Sequence, residues 1–164
     1  MSAYVTSVLV GHVAVSFVAL AAGFVVAAGF LRGQVHDRWN FWFLVTTIAT
    51  SLSGYLFPVD RLLPSHVLGA ISLAVLAVAV DARYRHSLRG WWQPTYVAAA
   101  MAAFYLNFFV LVVQAFLKVP ALHVLAPTQA ELPFALTQLV VLVVFATVGT
   151  LATLRFGPAK KVAV

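Results

Sequence analysis

Cysteine is absent from this 164-residue chain, and charged residues make up only 9% of it. Without cysteine there are no disulfides, thiolate metal sites, iron–sulfur clusters or thiol nucleophiles. About a quarter of the residues of a soluble domain are charged, so the charges here are too few to cover a water-soluble globule. Because 63% of the residues are hydrophobic and the mean hydropathy is +1.02, the sequence predicts a protein whose solvent is a lipid bilayer.

Acidic residues and catalytic motifs are scarce as well. Only four Asp and Glu stand against ten Lys and Arg, and none lies deep in an apolar segment, which argues against a carboxylate proton relay. The chain has no Gly-rich phosphate loop, no H-E-x-x-H and no G-x-S-x-G. The net charge of +6 does not indicate nucleic-acid binding, because the basic residues lie at the ends of apolar segments, where lipid headgroups are. The pattern favours a non-enzymatic protein with no catalytic residues.

Five apolar segments approach or exceed the roughly 20 residues that a membrane-spanning helix needs. They cover about residues 5–31, 40–57, 66–82, 94–117 and 134–154. The first segment lacks the basic n-region of a cleaved signal peptide and is expected to be retained. Residues 118–133, with three prolines, are expected to form an external loop. The sequence therefore predicts one all-α domain over residues 1–164, a polytopic integral membrane bundle of five transmembrane helices.

The orientation of this bundle is predicted by its Lys and Arg residues. Alternation through five spans places eight of them on one side, namely Arg32, Arg38, Arg83, Arg85, Arg89, Arg155, Lys160 and Lys161. Arg61 and Lys118 lie on the other side. Because the basic side faces the cytoplasm, we expect a multi-pass protein of the cell inner membrane with its N-terminus outside and its C-terminus cytoplasmic.

Polar side chains within or beside the apolar segments are the candidate functional residues, because polar groups are costly in hydrocarbon. They concentrate in the predicted outer half, and the candidate ligand-binding set is His12, Asp60, Arg61, His66, Asn107, Gln114, Lys118, His123 and Gln138. Asn107, Gln114 and Lys118 follow one another at helical spacing and share a face. Two interpretations stay open: hydrogen bonds between helices, or an outward-facing polar pocket for a small or amphiphilic molecule.

Two metal-containing interpretations compete with these. Haem b in a helical bundle is held by histidine, and His12 with His66 or His123 supplies the pair. A catalytic zinc takes three protein ligands and a water, and the three histidines together supply that set. His36 and His86 lie at the predicted cytoplasmic interface and are expected to be solvated.

Local patterns add three further expectations. Ser65 is expected to cap the third helix after Pro64, which makes His66 its first residue, at the outer surface. The hydroxyls of the second helix are expected to bond to the carbonyl one turn back; they are Thr46, Thr47, Thr50, Ser51 and Ser53. The stripe of Ala19, Gly23 and Ala27 predicts close helix packing, within one chain or between copies.

The leading functional hypothesis is a small non-enzymatic inner-membrane protein. It would act as an accessory subunit of a membrane complex or as a binder of a small or amphiphilic ligand, and its partners would be the bilayer, a second copy or a larger complex. The alternative is a b-type electron-transfer protein.

Overall fold

The computed structural model describes residues 3–57 and 64–156 of the chain. These residues are mainly helical, and no β-strand occurs among them. The helices are α1 (Ala3–Leu31), α2 (Asp37–Ser53), α3 (Pro64–Val80), α4 (Trp92–Lys118), α5 (Pro120–Leu125) and α6 (Leu132–Arg155). A 3-10 turn, Gly54–Leu56, follows α2, and a π-helical turn, Asp81–Arg85, follows α3. The predicted all-α helical bundle is confirmed.

Over the described residues, four helices are long and apolar enough to cross a membrane: α1, α3 with its π turn, α4 and α6. The remaining long helix, α2, has 17 residues. At 1.5 Å per residue it measures about 26 Å, less than the roughly 30 Å of the hydrocarbon core. The 3-10 turn adds about 6 Å, which extends the rod to about that thickness. The fifth span stays a prediction that depends on α2.

Contacts between helix ends show that α1 runs antiparallel to α2. At one end of the bundle, Phe30 near the end of α1 packs edge-on against Tyr96 near the start of α4, and Asp37 at the start of α2 pairs with Arg83. At the other end, His12 near the start of α1 contacts Ser53 at the end of α2. The first end carries Arg32, Arg38, Arg83, Arg85, Arg89 and Arg155 and is called the basic end below. The second carries His12, His66 and His123 and is called the histidine end.

The small residues of α1 allow its close packing within the chain. Ala19, Gly23 and Ala27 are all buried, as the stripe predicted. A Cβ atom on Gly23 would lie 2.5 Å from a ring carbon of Phe104 on α4, which is closer than two carbon atoms can approach. Phe104 itself packs edge-on against Phe43 of α2. Gly23 therefore sets the distance at which α1 and α4 cross.

One local prediction was wrong. Helix α3 begins at Pro64 rather than at His66, because proline is tolerated at the first helical position, where its missing N–H would have no intrahelical acceptor. The segment after α4, predicted as an external loop, contains the short helix α5, Pro120–Leu125, with Pro120 at its first position.

Candidate functional site

His12 is held at the histidine end by a hydrogen bond between α1 and α2. Its Nδ1 lies 2.8 Å from Ser53 Oγ. Because the Ser53 hydroxyl donates to the Thr50 carbonyl at 3.1 Å, it accepts from His12, whose Nδ1 carries the proton. The His12 ring also lies edge-on to Phe57, with 5.5 Å between ring centroids. This bond fixes the orientation of the ring in the half-buried crevice between the two helices.

His66 lies deeper than its place near the start of α3 suggests. It is 9% exposed, and its ring is stacked on that of Tyr55 at 5.3 Å between centroids. The Tyr55 hydroxyl donates to the His66 carbonyl oxygen at 2.6 Å. The expectation that His66 is a surface residue was wrong, because the 3-10 turn after α2 carries Tyr55 over it.

Asn107 and Gln138 also bond between helices. Asn107 Nδ2 donates to Thr47 Oγ1 at 3.3 Å, joining α4 to α2. Gln138 Nε2 donates to the Phe109 carbonyl at 3.2 Å, joining α6 to α4. Gln138 Oε1 is buried and has no hydrogen-bond partner in the part of the chain that the structure describes. These contacts have the geometry of the first interpretation, hydrogen bonds between spanning helices.

The hydroxyls of α2 form more hydrogen bonds to neighbouring helices than the sequence predicted. Thr46 and Ser53 do bond to a preceding carbonyl of α2. Thr47, however, accepts from Asn107 of α4. The Oγ1 atom of Thr50 lies 3.4 Å from Ser16 Oγ of α1, and Ser51 donates to Ser72 of α3 at 3.1 Å. The expectation of purely local bonds was wrong for these three, because α2 lies between α1, α3 and α4 and its polar face has acceptors and donors on each.

The remaining candidates lie outside these bonds. Gln114 and Lys118 are exposed on α4, and His123 is exposed on α5. The Nδ1–H of His123 donates weakly to the Phe116 carbonyl, at 3.3 Å. Asp60 and Arg61 fall outside the described residues. Six of the described candidates lie toward the histidine end: His12, His66, Gln114, Lys118, His123 and Gln138. Asn107 lies midway along α4. None of these seven residues lines the groove between α4 and α6 or the smaller groove beside it.

The two metal-containing interpretations stand differently in this geometry. Among the described residues, no group of three His, Asp or Glu is placed to hold a metal ion, so the zinc set of His12, His66 and His123 was wrong. The His12 ring packs against Phe57 and the His66 ring against Tyr55. A haem held by His12 with His66 or His123 stays a prediction.

The segment between α5 and α6 folds back on the part of α4 at the histidine end. Gln129 Nε2 donates to the Val113 carbonyl at 2.8 Å, and Ala126 is fully buried against Val112 and Phe116. At the start of α6, the hydroxyl of Thr128 donates to Glu131 Oε1 at 2.8 Å. Desolvation opposes ionisation of Glu131, but hydrogen bonds from Thr128 and nearby backbone outweigh it and lower the pKa of this carboxyl. The segment is a fixed cap over the end of α4.

A polar network at the basic end was not predicted. Tyr96 of α4 is fully buried and donates to Asn40 Oδ1 at 2.6 Å, and Asn40 Nδ2 donates to the His36 carbonyl at 2.8 Å. Beside it, Arg83 Nη2 lies 2.6 Å from Asp37 Oδ1, and its guanidinium carbon lies 5.4 Å from the centre of the Tyr96 ring. The sequence indicates this network only through the placement of Asn40 and Tyr96, which lie just inside the starts of two apolar segments.

His86 belongs to the same end. Its ring is stacked on Trp92 with 3.7 Å between centroids, and its Nε2 lies 3.2 Å from Asp81 Oδ2. The turn between α3 and α4 folds the ring onto the first residue of α4, and the side chain stays 34% exposed. His36 is exposed, as expected.

An open groove lies between α4 and α6. It has a volume of about 380 Å³. Its floor and rims include Ala98, Ala102 and Tyr105 of α4 and Ala146, Gly149 and Thr150 of α6. Along α6 it extends from Leu142 to Leu154, about 18 Å at 1.5 Å per residue. A smaller groove on α6 shares Ala146 and Thr150 with it. The small side chains on both helices leave a trough that opens away from the bundle.

Comparison with known proteins adds nothing to this geometry, because no family model, no curated protein and no solved structure matches the chain.

Proposed function

We propose that this protein is a non-enzymatic inner-membrane protein that binds an amphiphilic molecule in the groove between α4 and α6. The groove is the observation that supports the proposal. We propose the groove as the binding site in place of the outward-facing polar pocket predicted from the sequence. The side chains of His12, Asn107 and Gln138 already bond to neighbouring helices, and they line neither groove.

The chemistry of the groove suits a hydrocarbon chain. Its residues are mostly apolar, and the Thr153 hydroxyl at its edge already donates to the Gly149 carbonyl at 2.7 Å. Such a lining has little to offer a polar solute, whereas burial of apolar surface favours an acyl or isoprenoid chain. Ala102, Ala146 and Thr150 are exposed, so a chain enters sideways from the bilayer without opening the bundle.

The length of the groove favours a lipid chain over a helix of a partner protein as its occupant. Its 18 Å along α6 are close to the depth of one leaflet, about half of the 30 Å hydrocarbon core. A spanning helix of an accessory complex would need a trough through the whole core. The groove therefore supports amphiphile binding over the docking of a partner helix.

The distribution of basic residues supports the inner membrane and the orientation. Eight of the ten Lys and Arg belong to the basic end and to the segment after α6, which is the distribution of a cytoplasmic face. Trp91 and Trp92 at this end are exposed, as residues of an interfacial belt are. We accordingly place the groove in the cytoplasmic leaflet.

The test measures binding of a spin-labelled fatty acid to the protein in phosphatidylcholine bilayers by electron paramagnetic resonance. Filling the groove with Ala102→Leu/Ala146→Leu should reduce the immobilised fraction. The matched variant Ala21→Leu/Ala28→Leu, at exposed alanines of α1, should leave it at the wild-type value. Equal fractions in both variants would contradict the proposal.

The same preparation tests the two alternatives. A Soret band in the absorption spectrum that disappears in His12→Ala would replace the proposal with the b-type cytochrome. A protein partner that co-purifies in stoichiometric amount, and is lost only in the groove-filled variant, would replace it with an accessory subunit.

A further inference from the structure

We infer that the occupant of the groove is a prenylated quinone, whose two ring carbonyls accept hydrogen bonds from Tyr105 and Thr150 and whose isoprenoid tail lies in the same groove. This inference rests on the proposed function and adds the chemical class of the ligand and the residues that recognise it. The observation behind it is a pair of hydroxyl groups that line the groove and have no hydrogen-bond partner within the described chain.

The hydroxyl groups that line the groove differ in their bonding. Thr153 donates to the Gly149 carbonyl, one turn back on α6, at 2.7 Å. Thr150 on the same helix and Tyr105 on α4 also line the groove. Neither of these two hydroxyls has a hydrogen-bond partner in the part of the chain that the structure describes. Each therefore offers a donor to an acceptor from outside the chain.

Tyr105 lies too deep for its hydroxyl to reach the lipid headgroups. Its ring contacts that of Phe145, with 5.9 Å between centroids. About 15 Å of helix separate Phe145 from Arg155, the last residue of α6, and 15 Å is half of the hydrocarbon core. Tyrosines of an interfacial belt place their hydroxyls among the headgroups. A tyrosine near the bilayer centre has only hydrocarbon beside its hydroxyl, where an unpaired polar group is costly.

A hydroxyl donor at this depth favours a lipid that carries an acceptor below the interface. Fatty acids and phospholipids have their oxygen atoms at or near the interface, so only their hydrocarbon chains would pass Tyr105. A prenylated quinone resides in the hydrocarbon region, and its otherwise apolar structure ends in a ring with two carbonyl oxygens. Two donors in a mostly apolar lining match this ligand, because a few placed polar groups fix the orientation of a ligand in an apolar site.

The side chains of the groove also suit a flat ring. Tyr105 and Phe145 supply aromatic rings, which stack favourably with another planar ring, and Ala102 and Gly149 leave space beside them. Thr150 lies about 7.5 Å further along α6 than Phe145. A ring in this part of the groove has one donor on the side of α4 and one on the side of α6, and the two carbonyl oxygens of a quinone lie on opposite edges of its ring.

The experiment measures how decylubiquinone displaces a spin-labelled fatty acid from the full chain in phosphatidylcholine bilayers. Decylbenzene, which has the same chain and no carbonyl oxygen, is the matched competitor. For the wild type we expect half-displacement at a quinone-to-lipid ratio about 25-fold below that of decylbenzene, because each of two hydrogen bonds contributes about fivefold.

Two pairs of variants assign this preference to the two hydroxyls. Tyr105→Phe should raise the quinone ratio for half-displacement about fivefold and leave the immobilised fraction of the fatty acid unchanged, whereas Tyr4→Phe, at an exposed tyrosine of α1, should change neither. Thr150→Val should also raise the ratio about fivefold. Thr153→Val should keep the wild-type ratio, because the hydroxyl that it removes already bonds within α6.

The outcomes separate this inference from the proposed function. Equal displacement by decylubiquinone and decylbenzene, or equal ratios for Tyr105→Phe and Tyr4→Phe, would overturn the quinone while leaving the groove as an amphiphile site. A diacylglycerol that competes as strongly as decylubiquinone would assign the hydroxyls to an ester carbonyl and overturn it as well. If Ala102→Leu/Ala146→Leu changes the binding of neither fatty acid nor quinone, the proposed function fails with it.

Discussion

The buried hydrogen bond between Tyr96 and Asn40 provides the sharpest test of the packing at the basic end. The substitution Tyr96→Phe keeps the ring, and with it the edge-on contact to Phe30 at 5.9 Å. It removes only the hydroxyl that donates to Asn40 Oδ1 at 2.6 Å. Asn40 is 1% exposed, so its carbonyl oxygen is left without a donor and without access to solvent.

The expected loss in the free energy of unfolding follows from two limits. A buried polar group left unpaired costs about 1–3 kcal/mol, whereas hydrogen bonds between membrane helices are worth about 0.6 kcal/mol on average and about 1.7 kcal/mol at most. The lower membrane values arise because the unfolded chain in a membrane or micelle finds other partners. We therefore expect Tyr96→Phe to lower the free energy of unfolding by about 1–2 kcal/mol.

The assay is reversible unfolding in mixed micelles of a mild detergent and increasing SDS, followed by circular dichroism. Tyr4→Phe, at an exposed tyrosine of α1, is the control and should change the free energy by less than about 0.5 kcal/mol. In the double variant Tyr96→Phe/Asn40→Ala the two losses should not add, because the two residues form one bond. A Tyr96→Phe protein as stable as Tyr4→Phe would refute the reasoning.

Two further predictions concern packing and topology. Gly23→Ala should cost about 1–3 kcal/mol through overpacking against Phe104, measured by the same SDS titration, whereas Gly11→Ala should cost nothing because no atom lies within 4 Å of its added Cβ; equal effects would show that α1 and α4 do not cross at Gly23. A reporter enzyme fused after Val164 should be active only in the cytoplasm. Activity in the periplasm would mean that α2 does not span or that the orientation is reversed.

The hydrogen-bond partners of the polar residues could not be predicted from the sequence. Their concentration at one end is visible from the order of residues along the five segments. Their partners are not, because a hydrogen bond between helices depends on how each helix is rotated about its axis and which helix lies beside it. Thr47 and Ser51 are four residues apart on α2, yet the first bonds to α4 and the second to α3.

The sequence by itself determined the solvent, the helical class and the small-residue stripe of α1, because hydrophobicity and helical spacing are properties of the local chain. Only the tertiary structure decided that His12 bonds to Ser53, that Tyr96 and Asn40 form a buried pair at the basic end, and that α4 and α6 leave a groove. The groove depends on the distance between two helices whose lining residues lie far apart in the chain, and that distance is set by the side chains packed between them.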